Sequence, residues 1–286
     1  MSSSASEPVL LSWSALDPER RLSIPGGRFT RVNTLFAFAM AVLLTVGFYF
    51  SLLPFEQYYF AQTFTQRGPI PYSIVLLSWW SLTILFIKWL KLRLQRRTLH
   101  LRLIPETAAF VLSPQTVDEV IDKIYTLVDE PRQFILFNRI LIALSNLRNL
   151  GRVTDVDDIL RSQGANDEAG VETSYSIISG FVWAIPVLGF IGTVLGLSQA
   201  IGGFGAVLAT SSDISELKPA LQSVTGGLAV AFETTLHGLV AALVIQLLIT
   251  ALKKSEEEFL DNCSEYCVRN IVGRLRLTTP GPGEEA

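Results

Sequence analysis

Four stretches of the chain are apolar for longer than a buried core helix requires. No Asp, Glu, Lys or Arg falls between Val32 and Phe55, between Gly68 and Ile87, between Thr173 and Ser212, or between Pro219 and Phe232. A helix that crosses the hydrocarbon core of a bilayer needs about 20 mostly apolar residues. The stretches therefore predict four spans, Asn33–Leu53, Tyr72–Leu90, Ile177–Ile201 and Ala220–Leu252. Pro54 ends the first, and Pro69 and Pro71 precede the second, where a proline is tolerated at or before the first turn. The fourth contains one acid, Glu233. A cleaved signal peptide is not expected, because the first apolar run is too long for one and lacks a small-x-small cleavage pattern.

Between the second and third spans the pattern becomes amphipathic. Ser113-Pro114 reads as a helix start, after which Val117, Val120, Ile121, Ile124, Leu127 and Val128 share one helical face. Pro131 restarts the chain, Phe134, Phe137, Ile140, Leu141, Leu144 and Leu147 form a second stripe, and Gly151 closes it. Asp155 to Tyr175 is polar and predicts a helix running into the third span, weakened at Gly164 and Gly170. No strand pattern or repeat is visible, and Met1–Glu7 and Thr278–Ala286 read as disordered tails. The expected fold is all-α, a polytopic membrane protein of four transmembrane helices with a helical cytoplasmic domain. Its expected parts are an N-terminal tail (1–32), two spans with a short loop (33–90), a helical domain (91–176), two further spans (177–252), and a C-terminal helix and tail (253–286).

Charge sets the orientation. Arg20, Arg21, Arg28 and Arg31 precede the first span, Lys88, Lys91, Arg93, Arg96 and Arg97 end or follow the second, and Lys253 and Lys254 follow the fourth. The loop Phe55–Pro71 has Arg67 as its only basic residue, and the loop Gly202–Lys218 only Lys218. By the positive-inside rule both termini and the central domain are cytoplasmic. Hydrophobic residues make up 49% and charged residues 17%, with a net charge of −3. Soluble domains carry about 25% charged residues, so a soluble globular protein is excluded, and the slightly acidic balance argues against nucleic-acid binding. Cys263 and Cys267 are too few for a disulfide framework and have no nearby His, so they read as reduced thiols. His100 reads as part of a solvated basic face. No nucleophile–base pair, phosphate loop or metal cluster is present, and no enzyme activity, metal or cofactor is expected.

Polar and small residues concentrate in spans three and four. Gly189, Gly192 and Gly196 lie along one helix face and suit close packing of another backbone, and Pro186 is expected to kink the span. The fourth span adds Thr225, Gly226, Gly227, Glu233, Thr234, Thr235, His237 and Gly238. Thr193 is 16 residues from Ile177, roughly 24 Å at 1.5 Å per residue. Thr235 is 17 residues before Leu252, roughly 26 Å from the same end. The two hydroxyls should therefore share one depth, expected near the midplane. There each hydroxyl either bonds a carbonyl of its own helix or faces a hydrated path.

The run Ile185-Pro186-Val187-Leu188-Gly189-Phe190-Ile191-Gly192-Thr193-Val194-Leu195-Gly196-Leu197 resembles the third-span motif of the MotA/TolQ/ExbB proton-channel family. Gly227-Leu228-Ala229-Val230-Ala231-Phe232-Glu233-Thr234-Thr235-Leu236-His237-Gly238-Leu239 resembles the last-span motif. Four spans with a large loop between the second and third resemble the MotA branch more than the three-span TolQ/ExbB branch. The resemblance implies a bacterial inner-membrane subunit that forms a homopentamer around two copies of a single-span partner (MotB/TolR/ExbD-like). A membrane Asp on the partner carries the ion, H⁺ rather than Na⁺. Thr193 and Thr235 would line the path, and ion flow would drive rotation or a conformational cycle. Two positions depart from the pattern: Val230 stands where TolQ/ExbB-like members usually have Glu, and Glu233 where an apolar residue is usual.

Glu233 and Thr234 complete the candidate ion path. A charge at mid-bilayer costs a few kcal/mol, and neither span offers Lys or Arg, so a neutral acid is expected that shares an interior face with Thr234 and His237. It either relays protons or hydrogen-bonds a neighbouring helix. His237, one turn on, either shares a proton with it or packs. Pro186, Gly189, Gly192, Gly196, Gly227 and Gly238 are the packing and kink candidates. The alternatives are a non-conducting membrane scaffold and an ExbB/TolQ-like subunit that energises envelope transport. A secondary transporter fits poorly, since no inverted repeat is seen.

Overall fold

The computed structural model describes residues 10–22, 24–101, 112, 116–150, 153–210 and 214–275. Among these the chain is helical, without strands, and has four helices long and apolar enough to cross a membrane. The elements used below are α1 (Thr34–Leu52), α2 (Tyr59–Thr65), α3 (Ile70–Arg96), α4 (Val117–Leu127), α5 (Ile135–Leu150), α6 (Val153–Ser174), α7 (Ser176–Thr210) and α8 (Ile214–Asn270). The expected helix start at Ser113-Pro114, the close at Gly151 and both expected disordered tails lie outside the described residues.

Two compact units divide the chain: Met1–Asn33, Ile87–Ser174 and Leu252–Ala286 form the first, and Thr34–Phe86 with Tyr175–Ala251 the second. The core of the first is built from the amphipathic stripes. Phe134, Phe137, Ile140 and Leu144 of the α5 stripe are fully buried, as are Val117, Ile124 and Val128 of the α4 stripe. The segment read as an N-terminal tail is part of this unit from Leu11 onward. Trp13 is buried and meets Phe134 edge-on at 5.1 Å. Asp129 anchors it, accepting from the Trp13 backbone N–H at 2.8 Å and from the Ser12 hydroxyl at 2.7 Å.

Several charges in this unit are buried as pairs, which a low-dielectric interior requires. Lys91 Nζ contacts the Glu19 carboxylate, stands 3.5 Å from Asp17, and donates to the carbonyls of Gly27 and Arg31 at 3.1 and 2.8 Å. Lys88 pairs with Glu256 at 3.2 Å and donates to Ser174 Oγ at 2.9 Å. Arg139 pairs with Asp167 at 2.6 Å. Cys263 and Cys267 are buried free thiols, and burial pushes the Cys267 thiol up to about 12.

In the second unit, α1 meets α3 through an aromatic seam: Phe38 on Trp80 at 4.8 Å and Tyr49 stacked on Tyr72 at 4.4 Å. Trp80 in turn meets Phe181 of α7 at 4.6 Å. The expected loop between the last two spans is shorter than its composition implies. Gly202 and Gly203 are helical, α7 continues to Thr210, and α8 begins by Ile214. With no charge to solvate and apolar neighbours on both sides, the glycines do not end the helix. Tyr175 is a one-residue break between α6 and α7, where the polar helix was expected to run straight into the third span.

Candidate ion path

In the second unit α7 and α8 approach closely, and the sequence shows why. Ile185, Gly189, Gly192, Gly196 and Ala200 recur at helical spacing on α7, and Gly227, Ala231, Thr234, Gly238 and Ala242 on α8. These stripes meet antiparallel, with Gly227 against Ala200 and Gly196, Gly192 against Thr234, and Gly238 against Ile185 and Gly189. A Cβ placed on Gly227 would lie 2.5 Å from that of Ala200, and one on Gly238 2.9 Å from the Ile185 carbonyl oxygen. Neither position has room for a side chain. Gly180, Gly202, Gly203, Gly205 and Gly226 have open space around the same point, so only part of the glycine set serves this contact.

The close approach brings Thr193 and Thr235 into hydroxyl–hydroxyl contact. Thr193 Oγ1 reaches the Ala231 carbonyl across the helix pair at 3.0 Å, and its own Gly189 carbonyl at 3.3 Å. Thr235 Oγ1 donates across the pair to the Gly189 carbonyl at 3.0 Å. Each hydroxyl has one proton, and here two protons face two cross-helix carbonyls as well as each other. The proton positions therefore have more than one satisfied arrangement. Thr234 differs: it is buried, its hydroxyl bonds back to the Ala231 carbonyl at 2.9 Å, and its bulk fills the space left by Gly192.

Two expectations need correction. The threonine pair was placed at mid-span, yet the neighbouring Gly192 lies against Ile70, the first residue of α3. The pair is thus level with one end of α3, because α7 and α8 continue well beyond it. Glu233 was expected to be a neutral acid with no cation in reach, on a face shared with Thr234. It is instead paired with Arg67, Nε to Oε2 at 2.8 Å and Nη2 donating to Oε1 at 3.3 Å, and it accepts from the Tyr59 hydroxyl. Glu233 and Thr235 lie two positions apart on α8, about 200° around the axis, so the acid points away from the threonine pair. Its near neighbour His237 stacks on Phe64 of α2 at 4.3 Å.

Arg67 and Tyr59 went unnoticed as site residues in the sequence. Arg67 is the only charged residue between Glu56 and Lys88, which was the available signal. Among the described residues, no group of three or more His, Cys, Asp or Glu is placed to hold a metal ion.

The fold and this helix pair define a multi-pass membrane protein in which two antiparallel helices of small residues enclose a pair of threonine hydroxyls. Residues 136–265 match the model of the MotA/TolQ/ExbB proton channel family. The match runs from α5 into the last turns of α8 and includes both motifs. Members of this family are proton channels rather than a class of enzyme, and work with single-span partners in oligomeric complexes. No curated protein and no solved structure matches the chain.

Proposed function

We propose that the chain is the channel-forming subunit of an inner-membrane complex of the four-span, MotA-like type, in which proton flow is converted into mechanical work. In this reading five copies surround two single-span partner helices, each bringing an Asp into the membrane, and both termini are cytoplasmic. Thr193 and Thr235 line the route by which protons reach and leave that Asp.

The observation that carries the reading is the contact of Thr193 with Thr235 on a helix pair inside the family-matched stretch. Two hydroxyls that each donate and accept, with carbonyls on both helices, form a proton-passing element that apolar helix packing alone does not need. The exposed faces of α7 and α8, with Trp183, Phe190 and Phe232 outward, suit contact with further helices or lipid.

The direct test is reconstitution. Vesicles holding the chain with its single-span partner should dissipate an imposed pH gradient. Vesicles in which the assembled complex holds the gradient would identify a non-conducting scaffold.

A further inference from the structure

We propose that Glu233 and Arg67 form a latch that ties the connection between the first two spans to α8, and that Glu233 is a positioning residue for the threonine pair rather than a proton carrier. This rests on the ion-path reading above.

Three observations lead to it. One guanidinium stands close to both carboxylate oxygens, with Nε 2.8 Å from Oε2 and Nη2 donating to Oε1 at 3.3 Å, and the Tyr59 hydroxyl also donates to Oε1. These groups come from two separated parts of the chain, the connection holding α2 and the α8 segment that also presents Thr234 and Thr235. The approach of Arg67 is fixed by the backbone: Gly68 follows at φ +76°, a conformation that side chains disfavour, and Pro69 and Pro71 stiffen what comes next.

Away from α8 the connection is held by Phe64 against Phe48 at 5.5 Å and by the Tyr72 hydroxyl, which donates to the Thr65 carbonyl at 3.4 Å. Beneath it is a cavity of about 570 Å³, walled by Phe48, Phe60, Ile74, Trp79 and Val240, with Glu233 and His237 also on its wall. The described polar and ring contacts from this connection to α8 are those of Tyr59 and Arg67 with Glu233 and the Phe64–His237 stack. The charged and titratable groups facing Glu233 are Tyr59 from α2, Arg67 from the connection and His237 from α8. Arg67 compensates the acid where it stands, and the 200° separation leaves the carboxylate no direct contact with Thr193 or Thr235. Its route of action is mechanical, through the position of the α8 turn that holds Thr234 against Gly192.

Two measurements on the full-length chain in its complex separate the possibilities. Arg67 is the only tryptic site between Arg31 and Lys88, so trypsin cleavage after Arg67 reports the latch whether or not the complex conducts. Glu233→Gln should speed that cleavage about tenfold, corresponding to about 1.4 kcal/mol of lost attachment, and an unchanged rate would overturn the latch. Proton flux then tests the positioning role. Glu233→Gln and Arg67→Glu singly should each lower flux about tenfold, while the swap Glu233→Arg with Arg67→Glu should return it to within about threefold of the parent. A swapped protein that assembles but stays without flux would assign the work to the carboxylate itself and overturn the proposal. If the swap does not insert, Glu233→Gln with Arg67→Gln takes its place: flux no lower than that of the single variants supports the latch, because both changes break the same contact, and a further multiplicative loss rejects it.

Discussion

In the first unit Lys91 is fully buried with Asp17 and Glu19 around it, and Arg139 is buried against Asp167. Between α7 and α8 of the second unit, the described polar groups that meet are half-buried hydroxyls and backbone carbonyls, and the Arg67–Glu233 pair points the other way. Opposite charges in a low-dielectric interior have one good arrangement, and leaving it is costly. Hydroxyls have several arrangements of similar energy, because each donates once and accepts twice. The first unit is therefore built to hold one geometry, whereas the helix pair of the second can redistribute protons without moving its backbone.

The largest expected effect falls on the charge node. Lys91→Met removes the cation and leaves two buried acids together, at a cost of about 3–5 kcal/mol. Thermal unfolding of the solubilised chain should show a clear loss of Tm, and an unchanged Tm would mean the node contributes nothing. Next comes the helix pair, where adjacent glycines separate two roles. Gly227→Val drives a side chain into Ala200 and should cost about 1–3 kcal/mol, while Gly226→Val enters open space and should leave the stability of the isolated chain nearly unchanged. Equal effects at the two positions would contradict the stripe packing.

The smallest effect concerns Asp129. Burial raises its pKa, but hydrogen bonds from Ser12, the Trp13 backbone and Ser14 outweigh this, and the net shift is downward from 3.8. A carboxyl lowered in the folded state adds stability at pH above its unfolded value and loses it as pH falls through the folded one. Asp129→Asn should therefore remove part of the acid sensitivity below pH 3.8, with its stability deficit largest near neutral pH. A deficit that is the same at both ends of the range would count against the linkage.

Much of the helical frame was legible because it depends on local pattern. The first apolar stretch predicts Asn33–Leu53, and the helix is Thr34–Leu52. The stripe from Phe134 to Leu147 is buried, but so are all the other residues from Ile135 to Leu141, because this part of α5 is covered on all sides. Distance along a helix placed Thr193 and Thr235 at one level, and they touch, although the level differs from the one expected because α7 outruns Ile201. What the sequence hid is nonlocal. Arg67 and Glu233 are 166 positions apart, and no spacing rule connects a loop arginine to a span acid. Lys88 and Lys91 read as interface charges that set orientation, yet both are buried in pairs with acids far along the chain.

Whether a hydroxyl at the α7–α8 contact carries protons is decided at Thr235. Thr235→Ser keeps the hydroxyl and Thr235→Val keeps the shape, so the two variants divide chemistry from packing. Proton flux should be measured in vesicles holding the assembled complex, for each variant against the parent. The Ser variant should retain most of the flux, and the Val variant should lose it while assembly is unchanged. Normal flux in the Val variant would contradict it.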